Sequence, residues 1–365
     1  MSDMEKKRSS GQNAAKKAEG KAKKTMPASR RRVLLIVLCA FLAVVLLVLV
    51  VGTVYFERLM GKINRADETS GVTLSPEEIA ALENPSDETV DPDFTGPVLS
   101  GDEVTWAEDA ETLIGGDGVV NILLIGQDRR EGEGRARSDA MILCTFNTEK
   151  KTLTMTSFLR DLYVQIPGYQ DNRINAAYAL GGMELLNETL YKNFGVEIDG
   201  NVEVDFSEFS QIIDLLGGVD IELTNSEANY LNRNPGYYLS SGVNHLNGEQ
   251  ALSYARIRYI DSDFGRTNRQ RTVLNALINA YKNSSLTTML SLLDDILPLV
   301  TTDMTDAEIV GYVTELFPLL ASSTVTTQHI PADGSYYNVY IRGMAVLVPD
   351  LEESRQLLVD TLLGE

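Results

Sequence analysis

The sequence predicts an α/β protein: one three-layer α/β/α domain with a mixed central sheet, preceded by a single N-terminal transmembrane helix. Three observations lead there. Residues 33–56 read VLLIVLCAFLAVVLLVLVVGTVYF, without a charge. From Gly118 onward, strand-length apolar runs alternate with segments of helical period. Only two cysteines occur in 365 residues, so the domain must rest on a large apolar core rather than on disulfides.

The apolar run has 24 residues. At about 1.5 Å per residue it reaches about 36 Å, enough to cross a hydrocarbon core of about 30 Å. Arg30, Arg31 and Arg32 abut its start, and Tyr55 and Phe56 close it. The first 32 residues carry 11 Lys and Arg against 3 Asp and Glu, whereas the remaining 333 carry 21 against 49. Positive flanks stay cytoplasmic, which predicts an extracellular C-terminal part. The run exceeds the apolar core of a cleaved signal peptide and no small-x-small site follows it, so an uncleaved anchor is expected. Cys39 lies in this run and Cys144 in the strand-like MILCTFN, so no disulfide forms within one chain. A bacterial cell surface fits that usage better than a eukaryotic one.

Four regions follow. Residues 1–32 form a basic, disordered cytoplasmic tail, and 33–56 the anchor. Residues 57–117 are acidic, carry Pro76, Pro85, Pro92 and Pro97, and read as an extracellular stalk with one short helix at 76–82. Trp106, near its end, is expected to pack onto the domain. Residues 118–365 form the domain. There, 119–125 is a continuous apolar strand, and 141–146 and 153–158 form a hairpin. Residues 174–194 are helical. Strands at 201–204 and 219–223 flank a helix at 206–216, which Gly217 and Gly218 terminate. Helices are expected at 249–255 and 268–281, near 286–300, and at 305–320. Strands at 324–330 and 336–341 and a helix near 351–363 complete the chain.

The two histidines, His245 and His329, lack metal-ligand spacing. G-x-S-x-G, H-E-x-x-H, Walker and Rossmann motifs are absent from the sequence. Arginine stands out instead: 12 Arg against 3 Lys between Asn121 and Arg271. Its always-charged fork matches phosphate oxygens two at a time. A phosphorylated ligand is one reading, and surface ion pairing with the many carboxylates is the other.

Position favours the ligand. Asp128 and Arg129 follow the first core strand, where open α/β sheets bind ligands. Arg137, Ser138 and Asp139 precede the next strand, Arg160 and Asp161 follow another, and Arg173 precedes a helix. Asp128 and Asp139, from different loops, could share a divalent cation with ligand phosphates. In YARIRYIDSDFGRTNRQR, Arg256 and Arg258 share a face only on an extended exit from the helix. Arg266 is expected just before a helix, where an anion is favoured. Arg269 and Gln270 lie on its side of that helix. Asp263 reads as a cap or pairing group, or as a general base.

The segments NILLIGQD, RSDAMIL, FLRDLYVQIPG, RINAAYALGG, LLGGVDIEL and GEQALSYARIR…DFGRTNRQR resemble the LytR-CpsA-Psr (LCP) family. The resemblance covers about residues 118–285, seven motifs in order. It implies an LCP-like fold with an apolar pocket for a polyprenyl tail. It also implies a phosphotransferase that moves an anionic glycopolymer, such as teichoic acid, from a polyprenyl-pyrophosphate carrier to peptidoglycan with Mg²⁺ or Mn²⁺. The implied metal ligands are Asp128 and Asp139. The implied pyrophosphate contacts are Arg137, Arg160, Arg173, Arg256, Arg258, Arg266 and Gln270, and the expected catalytic residues are Arg160, Asp161 and Asp263. Three positions depart from the family pattern: Gln127 stands for the usual Ser or Thr, Leu159 for Pro, and Arg173 for a frequent Lys. A polyprenyl-pyrophosphate hydrolase and a non-catalytic sensor of lipid-linked precursors are the rival expectations. The acidic ectodomain and the short basic tail argue against nucleic-acid binding.

Overall fold

The structure is a computed structural model that describes residues 53–66, 74–83, 94, 96–108, 110, 112–128, 136–258, 260–282 and 286–364. The predicted tail 1–32 and the anchor run 33–56 lie outside the described residues, except 53–56, which are helical. Among the described residues, no helix is long and apolar enough to cross a membrane. The chain divides into two compact units, Met1–Arg58 and Leu59–Glu365. The second holds every element below.

In chain order its first half contains β1 (Asn64–Arg65), α1 (Pro76–Glu83), β2 (Val98–Leu99), β3 (Val119–Gln127), β4 (Ser138–Asn147), β5 (Thr152–Phe158), β6 (Tyr163–Val164), β7 (Asn172–Arg173), α2 (Ile174–Phe194) and β8 (Gly200–Asp205). Then come α3 (Phe206–Leu215), β9 (Val219–Leu223), α4 (Asn225–Leu231), β10 (Gly242–Leu246), α5 (Gly248–Ala255) and α6 (Asp263–Lys282). The chain ends with α7 (Leu286–Ile296), β11 (Thr301–Thr302), α8 (Asp306–Ser322), β12 (Thr324–Ile330), β13 (Tyr336–Ile341), β14 (Met344–Pro349) and α9 (Leu351–Leu358).

The central sheet has the order β1-β11-β8-β3-β4-β5-β12. It is mixed, because β3 pairs antiparallel with β4 but parallel with β8, and β5 pairs parallel with β12. Side chains alternate across the sheet with period two. Leu123, Ile125, Met141 and Leu143 face one way and pack with α2 and α9 residues such as Leu186 and Leu358. Ile142, Cys144, Leu153 and Met155 face the other way, against Leu274 and Ile278 of α6 and Leu320 of α8. Helices therefore cover both faces, as predicted. Leu123 and Leu143 are fully buried, which stabilises the fold by about 1.5–3 kcal/mol for each such side chain. Cys144 is a free thiol in this layer, and burial pushes its pKa up to about 12.

Strand order also gathers the site. β3 and β5 run in the same direction, with β4 antiparallel between them. The end of β3, the start of β4 and the end of β5 therefore share one edge of the sheet, and β8 ends there too.

The structure corrects two expectations and adds one pairing. The expected strand 219–223 pairs with β10, unforeseen in the sequence, over a separate core that includes Ile221, Leu246 and Ala251. α6 starts at Asp263, five residues earlier than expected, so Arg266 sits inside its first turn rather than before it. The expected stalk 57–117 also contributes to the domain. Leu59, Met60 and Ile63 are buried, β1 forms the sheet's edge beside β11, and β2 pairs with β13. Trp106 does pack onto the domain: it stacks on Tyr163 and donates its indole N–H to Asp171 at 2.7 Å.

α3 ends where Gly217 and Gly218 adopt φ of 87° and 97°. A Cβ on Gly218 would lie 2.6 Å from His245 Nε2 and 2.8 Å from the Leu246 carbonyl, so only glycine fits. His245 Nδ1 lies 2.7 Å from Asp220 Oδ1, and its Nε2 lies 2.8 Å from the Gly217 carbonyl. Two acceptors favour the doubly protonated ring. The hydrogen bond to Asp220 is the main cause that raises its pKa above the ordinary 6.5. A raised folded-state pKa gives stability that is full below the unfolded value and lost as pH rises through the folded one. We predict an NMR titration midpoint for His245 above 6.5, lowered in Asp220→Asn.

Candidate active site

A cleft of about 610 Å³ opens at the gathered sheet edge, lined by Asp128, Ala136, Arg137, Asp139, Arg160, Asp161, Arg173, Asn175 and Ala345. The β3–β4 register explains how Asp139 reaches it. Gly126 pairs with Ala140 and Gln127 with Ser138, which leaves Asp139 as the extra residue of a bulge. Bulges beside functional sites re-aim a side chain in this way.

The charged groups alternate. Asp139 accepts from Arg160 Nη1 at 2.8 Å and lies 3.7 Å from Arg258 Nη2. Arg160 Nε lies 3.4 Å from Asp161, whose other oxygen lies 3.4 Å from Arg173 Nε. Arg173 also donates to the Ala345 carbonyl at 3.1 and 2.7 Å. Asp128, at the end of β3, accepts from Arg256 Nη2 at 3.1 Å. Arg256 caps the C-terminus of α5, so the chain has already left the helix when it reaches Arg258. Both arginines then reach aspartates of the cleft.

Burial raises the Asp161 pKa against the opposing pull of Arg160 and Arg173, and the neighbouring Asp263 carboxyl raises it further by charge and hydrogen bond. For Arg160, burial works downward, but Asp161, Asp139 and Asp263 prevail and its pKa rises. Arg266 behaves oppositely. Its side chain is only 3% exposed, and burial followed by repulsion from Arg160 lowers its pKa. Its Nη1 lies 3.2 Å from Asp263, an ion-pair contact, yet Nε and Nη1 have no hydrogen-bond acceptor. A buried guanidinium short of acceptors is a costly state that an incoming anion relieves.

Beside the cleft lies an apolar cavity of about 210 Å³, between β3, β4 and β8 on one side and α3, α5 and α6 on the other. Leu124, Ile142, Val204, Phe209, Leu252 and Leu277 line it. Its polar wall members are Arg256 and Gln270, and Gln270 Oε1 is buried without a partner. The Arg256 guanidinium stands 4.7 Å from the centre of the Phe206 ring while it binds Asp128. Arg256 thus lines the apolar cavity and reaches Asp128 of the polar cleft.

The structure brings together most of the sequence-derived site residues. Arg129 lies outside the described residues. Arg269, expected on Arg266's side, turns away: it is 2% exposed and donates to Glu227 and the Ile257 carbonyl, each at 3.0 Å, and to Asp261. Arg173 lines the cleft but holds β14 through Ala345. Asn175, Ala345 and Phe206 were missed. Asn175 lies two residues after Arg173 in the same motif, a readable signal; Ala345 contributes a backbone carbonyl and has none.

A metal was also expected. Among the described residues there is no group of three or more His, Cys, Asp or Glu that could hold an ion. Asp128 and Asp139 line one cleft with hard oxygen donors, a set that fits a cation completed by ligand phosphates and water.

Fold and cleft together define a mixed α/β protein with a guanidinium-rich polar cleft beside an apolar pocket. The LytR_cpsA_psr family profile matches residues 99–359, and the chain belongs to that family. It is 40% identical over 164 residues to the regulatory protein MsrR of Staphylococcus aureus, covering 44% of this chain and 49% of MsrR. It is 38% identical over 190 residues to the polyisoprenyl-teichoic acid–peptidoglycan teichoic acid transferase TagU of Bacillus cereus, covering 51% of this chain and 60% of TagU. The matches thus span about half of these curated relatives. Among solved structures, YwtF (TagT) of Bacillus subtilis with bound octaprenyl pyrophosphate lipid superposes with a TM-score of 0.52 at 27% identity, covering 68% of this chain and 91% of that one.

The arginines should separate by role. Arg269→Ala removes one partner of a buried ion pair and should cost about 3–5 kcal/mol of stability. Arg258→Ala, whose side chain is 43% exposed, should change stability by less than about 0.5 kcal/mol. Denaturant unfolding of the two variants checks this.

Proposed function

We propose that this chain transfers an anionic glycopolymer from a polyprenyl-pyrophosphate carrier to peptidoglycan and forms a phosphodiester. One observation carries the reading: the under-coordinated, buried Arg266, and an Arg256 that lines the apolar cavity while it holds Asp128 of the cleft, suit a ligand that is anionic at one end and apolar at the other. TagU's described activity and the octaprenyl pyrophosphate bound to YwtF support it at the level of the family.

In this mechanism the prenyl chain enters the apolar pocket. Arg160, Arg256, Arg258 and Arg266, with Arg137 and Gln270, hold the pyrophosphate and stabilise charge that develops on transfer. Arg173 acts from behind by fixing Asp161. A peptidoglycan hydroxyl oxygen attacks the phosphorus on the glycopolymer side. The bond from that phosphorus to the bridging oxygen breaks, and polyprenyl phosphate leaves. The hydroxyl proton passes to the paired carboxyls of Asp161 and Asp263; the pKa of Asp161, raised by its burial, suits a base. Asp128 and Asp139 would hold Mg²⁺ or Mn²⁺, which would supply further charge neutralisation when bound. The run 33–56 would anchor the chain with residues 1–32 in the cytoplasm and the domain outside, within reach of a membrane-borne donor.

The test supplies the purified full-length chain with a labelled lipid-linked glycopolymer, with and without peptidoglycan oligomers. Polymer joined to peptidoglycan is the expected product. Release of free phosphorylated polymer alone would replace this reading with a hydrolase, and binding without turnover would replace it with a sensor. Arg258→Ala should slow transfer about 10²-fold or more, as loss of one preorganised donor does, while the unfolding midpoint stays near wild type.

A further inference from the structure

Gln127 is the last residue of β3 and is 1% exposed. Its side chain points to the α2 face, as Ile125 does two residues earlier. Its amide Nε2 donates to Glu203 Oε1. Its Oε1 accepts from the backbone N–H of Ala136 at 3.3 Å. Glu203, on β8, is itself buried, and its second oxygen accepts from the Tyr178 hydroxyl of α2. Val202 and Val204 on either side of Glu203 line the apolar pocket, so Glu203 faces away from that pocket, beneath the polar cleft.

One amide therefore ties a buried carboxylate to the backbone of Ala136. Asp128 follows Gln127 directly and Arg137 follows Ala136, and both line the cleft. The bulge that turns Asp139 outward starts at the same residue. Donating to a carboxylate while accepting from a backbone N–H suits a primary amide with a donor and an acceptor on one planar group. A serine or threonine hydroxyl has one heavy atom beyond Cβ and lacks the reach to do both.

We propose that Gln127, anchored by Glu203 and Tyr178, is a positioning residue that sets Asp128, Arg137 and Asp139 for the pyrophosphate end of the ligand. This inference rests on the functional reading above. It assigns no contact between Gln127 and the ligand; Gln127 acts through its own backbone next to Asp128 and through the Ala136 N–H next to Arg137. The prenyl end of the ligand, held by the opposite face of the sheet, is independent of it.

The experiment compares octaprenyl pyrophosphate with the neutral alcohol octaprenol, each titrated into the full-length chain in detergent. Wild type should prefer the pyrophosphate; no preference would overturn the functional reading together with this one. Gln127→Leu should lose about tenfold or more of that preference, with affinity for octaprenol unchanged. Gln127→Glu sets two carboxylates together and should lose it too. Adding Glu203→Gln to Gln127→Glu reverses the polarity of the bridge and leaves an acceptor for Ala136, so the double variant should recover the preference. A general structural role would weaken both ligands alike and would not be rescued. The proposal is overturned if wild type prefers the pyrophosphate and Gln127→Leu or Gln127→Glu keeps that preference, or if the double variant stays as poor as Gln127→Glu. Should Gln127→Leu fail to fold, the Gln127→Glu and double-variant pair decides.

Discussion

The chain Asp139–Arg160–Asp161–Arg173 is the interaction on which the site depends. It alternates acid and base across four segments: the bulge of β4, the exit of β5, β7 and, through the Ala345 carbonyl, β14. The backbone follows it, because Leu347 donates its N–H to the Asp161 carbonyl. Along this chain each like-charged pair has an opposite charge between its members. Without that alternation, a cleft with this many partly buried charges would pay a desolvation cost that Coulomb attraction could not return.

The same chemistry explains why the arginines divide. Arg269 and Arg173 are satisfied by the fold: both reach a carboxylate and a backbone carbonyl. Arg266 is not, since its Nε and Nη1 lack acceptors. Arg256 and Arg258 hold aspartates of the cleft from half-exposed positions, a geometry that yields readily to a stronger anion. The fold thus fixes some guanidinium groups as struts and leaves others poised. The apolar pocket adds a second requirement, and Arg256 joins the two.

Much of the fold was legible. The strands at 119–125, 141–146 and 153–158 are apolar enough to mark the core, and Gly217-Gly218 marks a helix end that only glycine permits. The start of α6 was not. Asp263, Gly265 and Thr267 are poor helix formers, and tertiary contacts override them: Phe264 packs on His329 and Tyr336, and Asp263 pairs with Arg266. The two-residue strands β1 and β2 leave no period to read, so their segment looked like a free stalk. Charged site residues were legible because arginine and aspartate cluster at strand ends. The bulge at Asp139 and the Gln127–Glu203 bridge were not, since both arise from pairing between distant residues. The departure of Gln127 from the usual hydroxyl residue was visible, but its meaning needed Glu203, 76 positions away.

The central claim is that one ligand occupies both cavities, with its charge on the poised arginines and its chain in the apolar pocket. A crystal structure of the chain with octaprenyl pyrophosphate tests it most directly. The account predicts phosphate oxygens in contact with Arg266 and Arg258, Arg256 turned from Asp128 toward the pyrophosphate, and the prenyl chain between β3 and α6. A prenyl chain bound outside that pocket, or a pyrophosphate remote from Arg266, would contradict it.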